Sequence, residues 1–174
     1  MTSNYLAQLA SEWYEYRGFF VRRNVPVGSG PKGGHEAELT IVAIHPGDNR
    51  VVHIEPSMDA HSWEVREKRF SKKFKAGRNH LADATGKLCP AGEIEQIALI
   101  ALGSRTNHPT LGGGTVLTIA DFMAEILAEM KQRSSDELSV PQQYPILRTL
   151  QFVAENRRAV ITALMEQDPR QISF

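Results

Sequence analysis

Apolar residues recur at helical spacing at the start of the chain. Tyr5, Leu6, Leu9, Trp13 and Tyr16 predict a helix over residues 4–17, ended by Gly18. The pattern then turns strand-like over residues 19–27, with Pro26 marking its end or an edge. A glycine-rich loop (GSGPKGG) leads to ELTIVAI over 38–44, the turn HPGDN and RVVHIE over 50–55. Two strands around such turn chemistry predict an antiparallel hairpin. Asp59 or Ser62 is placed to cap a helix over 63–80, with Trp63, Phe70, Phe74 and Leu81 on or near one face, packed on the sheet. QIALIAL over 96–102 is a continuous apolar run and reads as a buried central strand. A strand over 115–119, an amphipathic helix over 121–133, a polar linker over 134–141 and a helix over 146–166 complete the order α-β-β-β-α-β-β-α-α. This is an α/β chain with a mixed sheet flanked by helices. The expected organisation is a core over 1–133, then a linker and C-terminal helix (134–174) packed on the same domain.

Composition narrows the classes. The chain has 174 residues, enough for one domain with a usable core. No apolar run approaches the roughly 20 residues that span a bilayer, and the N-terminal stretch lacks a signal-peptide core. The single Cys89 excludes an intramolecular disulfide framework, so a cytoplasmic setting is expected. Neither glycine-rich stretch fits a phosphate loop, because each precedes a strand rather than opening a helix. G-x-S-x-G is absent, and no His pairs recognisably with Cys89.

Twenty bases balance twenty acids, but their order is uneven. Residues 41–65 hold one base and four acids, residues 66–92 eight bases and two acids, and residues 93–140 three bases and seven acids. Arg66, Lys68, Arg69, Lys72, Lys73, Lys75 and Arg78 lie within one helical stretch, with Glu67 the only acid among them. If Phe70 and Phe74 face the core, most of these bases point outward, where they would neutralise phosphates in a salt-dependent way.

Strand alternation puts Glu38, Thr40, Val42 and Ile44 on one face of the first hairpin strand. Val51, His53, Glu55 and Ser57 share one face of the second. The turn then brings Glu55 opposite Glu38 or Thr40. A carboxylate ending an apolar strand is costly unless it is paired, shares a proton or binds a cation. Five of the six histidines fall between residues 35 and 80, and His53 shares the face of Glu55.

Helix, strand, turn, apolar strand ending in a carboxylate, basic helix, strand and helix, carried by ELTIVAI-HPGDN-RVVHIEPS, resembles the PD-(D/E)XK nuclease superfamily over roughly residues 4–130. The resemblance implies a restriction-endonuclease-like fold, an αβββαβ core plus C-terminal helices. It also implies a divalent-metal-dependent nuclease acting on DNA phosphodiesters, with Mg²⁺ or Mn²⁺ as cofactor. Glu38 and Glu55 would hold the metal, with Glu12 or Glu15 of the first helix adding a ligand. The motif departs from the family at two places: Thr40 stands where the first acid is expected and Ser57 where the lysine is. Lys72 or Lys73, with Lys68 behind them, would replace that lysine. Arg66, Lys68, Arg69, Lys75 and Arg78 would contact the backbone, and His53 and Ser57 would be accessory. The alternative is a degenerate, non-catalytic nucleic-acid-binding or assembly module of the same fold. A homodimer through the C-terminal helix is a further expectation.

Overall fold

The computed structural model describes residues 5–30, 33–86, 94–104, 106–132 and 139–166. The chain divides into two compact units, Met1–Phe122 and Met123–Phe174. The division falls inside a helix, upstream of the boundary expected at residue 133.

The first unit holds a six-stranded mixed sheet. Helix α1 (Tyr5–Tyr16) precedes β1 (Phe20–Val27), β2 (Ala37–His45) and β3 (Arg50–Ser57). Helix α2 (Trp63–Thr85) connects β3 to β4 (Ile94–Ile100), followed by the short β5 (Thr110–Leu111), β6 (Gly114–Thr118) and the start of α3 (Ile119–Gln132). The sheet order is β1-β2-β3-β4-β6-β5. β1, β2 and β3 form an antiparallel meander, while β3, β4 and β6 run parallel.

The hairpin between β2 and β3 turns where expected. Asn49 takes a left-handed φ of 55°, and Asp48 N–H donates to His45 Nδ1 at 3.1 Å. Ile41 is level with Ile54 and Val42 with His53, so over residues 41–45 and 50–54 the strand faces fall as alternation predicts, while Leu39 joins the cluster of Val42 and Ile44.

Helix α2 covers one face of this sheet. Ser62 caps its start by accepting from Val65 N–H, and Gly86 ends it in the left-handed conformation. The helix therefore runs five residues past the expected end at 80. Phe70 and Phe74 pack with Ala98, Ile100, Leu111 and Val116. Ala76 and Leu81 pack with Val25, Leu39, Val42, Ile44 and Val51. Helix α1 lies against β1, β2 and β3 from the other side, where Ile41, Ala43, Val52 and Ile54 are buried. β3 is thus covered on both faces, and any polar group it carries inward must find a protein partner.

Two glycines permit close approach to α2. A Cβ on Gly112 (φ 62°) would run into the helix backbone at Phe70 and Ser71, so the β5–β6 turn can lie flat on α2. Gly77, inside α2, leaves room for the imidazole of His53.

Further boundaries differ from expectation: β4 covers Ile94–Ile100 rather than 96–102, and β5 lies in a stretch that reads as loop. Thr118 Oγ1 accepts from Asp121 N–H, which starts α3 at Ile119 and draws that residue out of the predicted strand. In the second unit the single helix expected over 146–166 is broken into α4 (Pro145–Glu155) and α5 (Arg157–Glu166). Asn156 lies between them, and its side-chain amide donates to Phe152 O at 2.9 Å. A side chain that bonds the preceding turn offers the backbone an alternative to continuing the helix.

Candidate functional site

The residue that organises the α2-facing side of the sheet is Glu55, near the end of β3 and almost entirely buried. Four donors meet its two oxygens. Thr40 N–H reaches Oε1 at 2.8 Å and the Thr40 hydroxyl donates to Oε2 at 2.6 Å. Lys73 Nζ, from α2, lies 2.6 Å from Oε2 and also donates to Thr40 Oγ1 at 2.9 Å. His53 Nε2 lies 2.9 Å from Oε1.

The histidine is itself fixed from behind. Arg78 Nη1 donates to Gln96 Oε1, and Gln96 Nε2 donates to Phe74 O at 2.9 Å. Those two partners set the orientation of the Gln96 amide, so its second N–H donates to His53 Nδ1 at 3.2 Å. The imidazole therefore accepts at Nδ1 and carries its proton on Nε2, directed at Glu55. Among the described residues no buried side-chain polar atom lacks a partner. Burial alone pushes the Glu55 carboxyl up, but the His53 hydrogen bond and the Lys73 charge outweigh it. The group is held below the usual carboxylate range.

A second acid–base cluster continues along the same face. Ser57 Oγ donates to Asp59 Oδ2, and Arg69 Nη2 reaches Asp59 Oδ2 at 2.6 Å and Ser57 Oγ at 2.9 Å. Arg66 is buried and uses all three donor nitrogens. Nε donates to Asp59 Oδ1 at 3.2 Å, Nη1 to Leu102 O at 2.5 Å and Nη2 to Asp59 O. Desolvation raises the Asp59 carboxyl, but the bonds from Ser57 and Arg69 prevail and hold it well below its ordinary value.

The structure brings together some predicted site residues and not others. Thr40, not Glu38, stands beside Glu55. Glu38 is exposed and lies level with Pro26 of β1. Lys73 rather than Lys72 closes on the carboxylate, since position 73 lies on the sheet side of α2 and position 72 faces solvent. Glu12 is buried on α1, the helix on the opposite face, and accepts from Gln8 Nε2 at 3.0 Å. Glu15 lies on that helix too and is exposed. Arg66 is corrected outright: expected to face phosphate, it is a buried clamp, because Asp59 and the Leu102 carbonyl offer it partners inside. Five of the seven α2 bases, Lys68, Arg69, Lys72, Lys75 and Arg78, are exposed as expected, but Arg69 and Arg78 also hold inward partners, Lys73 closes on Glu55 and Lys68 pairs with Glu64 at 2.8 Å. Among the described residues only Lys72 and Lys75 of this group have no hydrogen bond or ion pair.

Gln96 carries no role in the sequence pattern, and Asp59 enters it only as a possible helix cap, a place that Ser62 takes. For Asp59 the signal was present: His53, Glu55, Ser57 and Asp59 repeat at spacing two. For Gln96 it was a polar residue opening an otherwise apolar strand.

The metal question turns on donor count. Glu55 offers one carboxylate, already met by four donors, and the neighbouring position carries a hydroxyl. Among the described residues no group of three or more His, Cys, Asp or Glu converges as a metal centre requires. The pocket as arranged does not fit a hard divalent cation, which takes several oxygen ligands.

No protein-family model, curated protein or solved structure matches this chain.

Proposed function

We propose that this chain is a non-catalytic, nucleic-acid-backbone-binding module built on a restriction-endonuclease-like fold. The observation that carries the reading is Lys73 closing on Glu55 beside Thr40. A lysine from the following helix fills the space that a metal would need, and a hydroxyl stands in for the second acid. Such a pocket is a polar tie between sheet and helix rather than a reaction centre.

Binding falls to the outer stripe of α2. Lys68, Lys72 and Lys75 recur at i, i+4 and i+7 and are exposed, so three ammonium groups share one helix face. Arg69 lies beside them, about two-fifths exposed. Three or four such charges support weak, salt-sensitive contact with phosphates, without base readout. Among the described residues no helix is long and apolar enough to cross a membrane. A reducing cytoplasmic setting accords with the lone Cys89.

The nuclease reading is kept as the second, because a relocated lysine beside the strand-end acid is also what a departed PD-(D/E)XK site would carry. One experiment separates them. Plasmid, single-stranded and branched DNA are incubated with the protein in Mg²⁺ and in Mn²⁺, alongside Glu55→Ala, with binding measured in parallel at low ionic strength. The module reading expects binding without cleavage. Cleavage lost in Glu55→Ala would overturn it in favour of the nuclease, and absence of binding would overturn both.

A further inference from the structure

The end of β1 and the last turns of α2 border a cavity of about 580 Å³, a size that suits a small organic molecule. Two of its polar groups are held in place. His80 Nε2 lies 2.9 Å from Glu36 Oε2, which ties α2 to the residue that precedes β2. Gly28, with φ 66°, makes room for that pair: a Cβ there would come within 2.8 Å of Glu36 Cβ and 3.0 Å of His80 Nε2. Glu36 N–H also donates to Val27 O at 3.0 Å, so the backbone that carries the carboxylate is fixed.

The third polar group is free. Asp83 stands one turn after His80 and lines the same cavity, and among the described residues nothing pairs with its carboxylate. Its position is costly. Asp83 lies in the last turn of α2, where the helix dipole disfavours an anion, and no base shares that turn. Arg22 reaches this end of the helix, but it donates to the Ala84 carbonyl at 3.1 Å and leaves Asp83 alone. No lysine or arginine among the described residues lines the cavity. Two carboxylates and the carbonyl end of a helix therefore meet at one opening, and all three favour a cation.

We infer that this cavity binds a small organic cation, a primary ammonium or guanidinium on a short aliphatic stem. Its N–H groups would bond Asp83 and the Glu36 oxygen that His80 does not hold, and its stem would lie on Pro26, Val27 and Ala84, the apolar part of the lining. Phosphate would be repelled here, so the site is separate from the lysine stripe and does not rest on the nucleic-acid reading. A bare divalent ion fits less well, because among the described residues no three His, Cys, Asp or Glu converge as ligands.

The probe is 1,4-diaminobutane, with butane-1,4-diol as the uncharged equivalent of the same length and Mg²⁺ as a bare ion. An NMR titration follows the amides of Ser29 and Ala84 and the His80 ring. The diamine is expected to shift these signals saturably, and the diol is not. Asp83→Asn, altered at an exposed side chain, is expected to weaken diamine binding roughly fivefold without lowering the melting temperature. Glu36→Gln is expected to weaken it as well and to change the His80 ring signal before any ligand is added. Absence of a saturable shift, equal binding in the wild type and both variants, or equal binding of the diol would overturn the cation site. Displacement of the diamine by an equal concentration of Mg²⁺ would overturn it too, since charge alone would then account for the binding. None of these measurements involves DNA, so the cation site and the proposed function fail separately.

Discussion

Lys73 Nζ lies 2.6 Å from Glu55 Oε2 although eighteen residues separate them, and the Thr40 hydroxyl bridges the two. The carboxylate is buried and the ammonium about a third exposed, so the pair is desolvated on one side only. Removing one partner from such a pair costs more than removing both. Lys73→Met is expected to lower unfolding free energy by about 2–4 kcal/mol. The double variant Lys73→Met/Glu55→Gln is expected to recover part of that loss. Urea unfolding of the two single variants and the double variant measures the coupling, and strictly additive losses would refute it.

Acid should unfold the protein through its two depressed carboxyls. Glu55 and Asp59 are both held below their ordinary values in the folded state. Such groups contribute stability above the unfolded pKa, and it is lost as pH falls through the folded one. Stability is therefore expected to be flat above about pH 5 and to drop from about pH 4 downward. Asp59→Asn should make that drop shallower and lower the plateau. Chemical denaturation across a pH series checks both, and a midpoint insensitive to acid would contradict the assignment.

Gly77 is expected to be irreplaceable for a reason outside its helix. Glycine inside a helix is about 1 kcal/mol worse than alanine, so Gly77→Ala should stabilise an isolated α2. In the fold the new Cβ would meet His53 Nδ1 at 2.5 Å, displacing the ring that Gln96 orients. Net destabilisation of about 1–3 kcal/mol is expected, from overpacking and loss of the imidazole's partners. A raised melting temperature for Gly77→Ala would show that His53 is free to move.

The lysine stripe makes a countable prediction. Each phosphate contact adds about −0.9 to the slope of log K against log salt on duplex DNA. Lys72→Gln and Lys75→Gln are each expected to reduce the slope's magnitude by about that amount with little effect on stability. Arg66→Gln, by contrast, should destabilise the fold, because it removes a buried clamp rather than a surface charge. Binding isotherms at several salt concentrations, read beside melting curves, distinguish the two classes.

Much of the fold was legible from periodicity. The meander, the buried β4 and the inward face of α2 follow from spacing two in strands and near four in helices. The face shared by His53, Glu55 and Ser57 was legible for the same reason. Where the last helix is interrupted at Asn156 the pattern was silent, because apolar spacing continues across it.

The sequence by itself determined that a charged Glu55 would end an apolar strand facing a basic helix, since alternation and composition are local properties. Only tertiary structure decided which hairpin residue stands across from it, which lysine reaches it, and that Arg66 turns inward. Those outcomes depend on strand register and on the rotation of α2 over the sheet. Burial then selects, among many available charges, the few that close the hydrogen bonds an enclosed carboxylate requires.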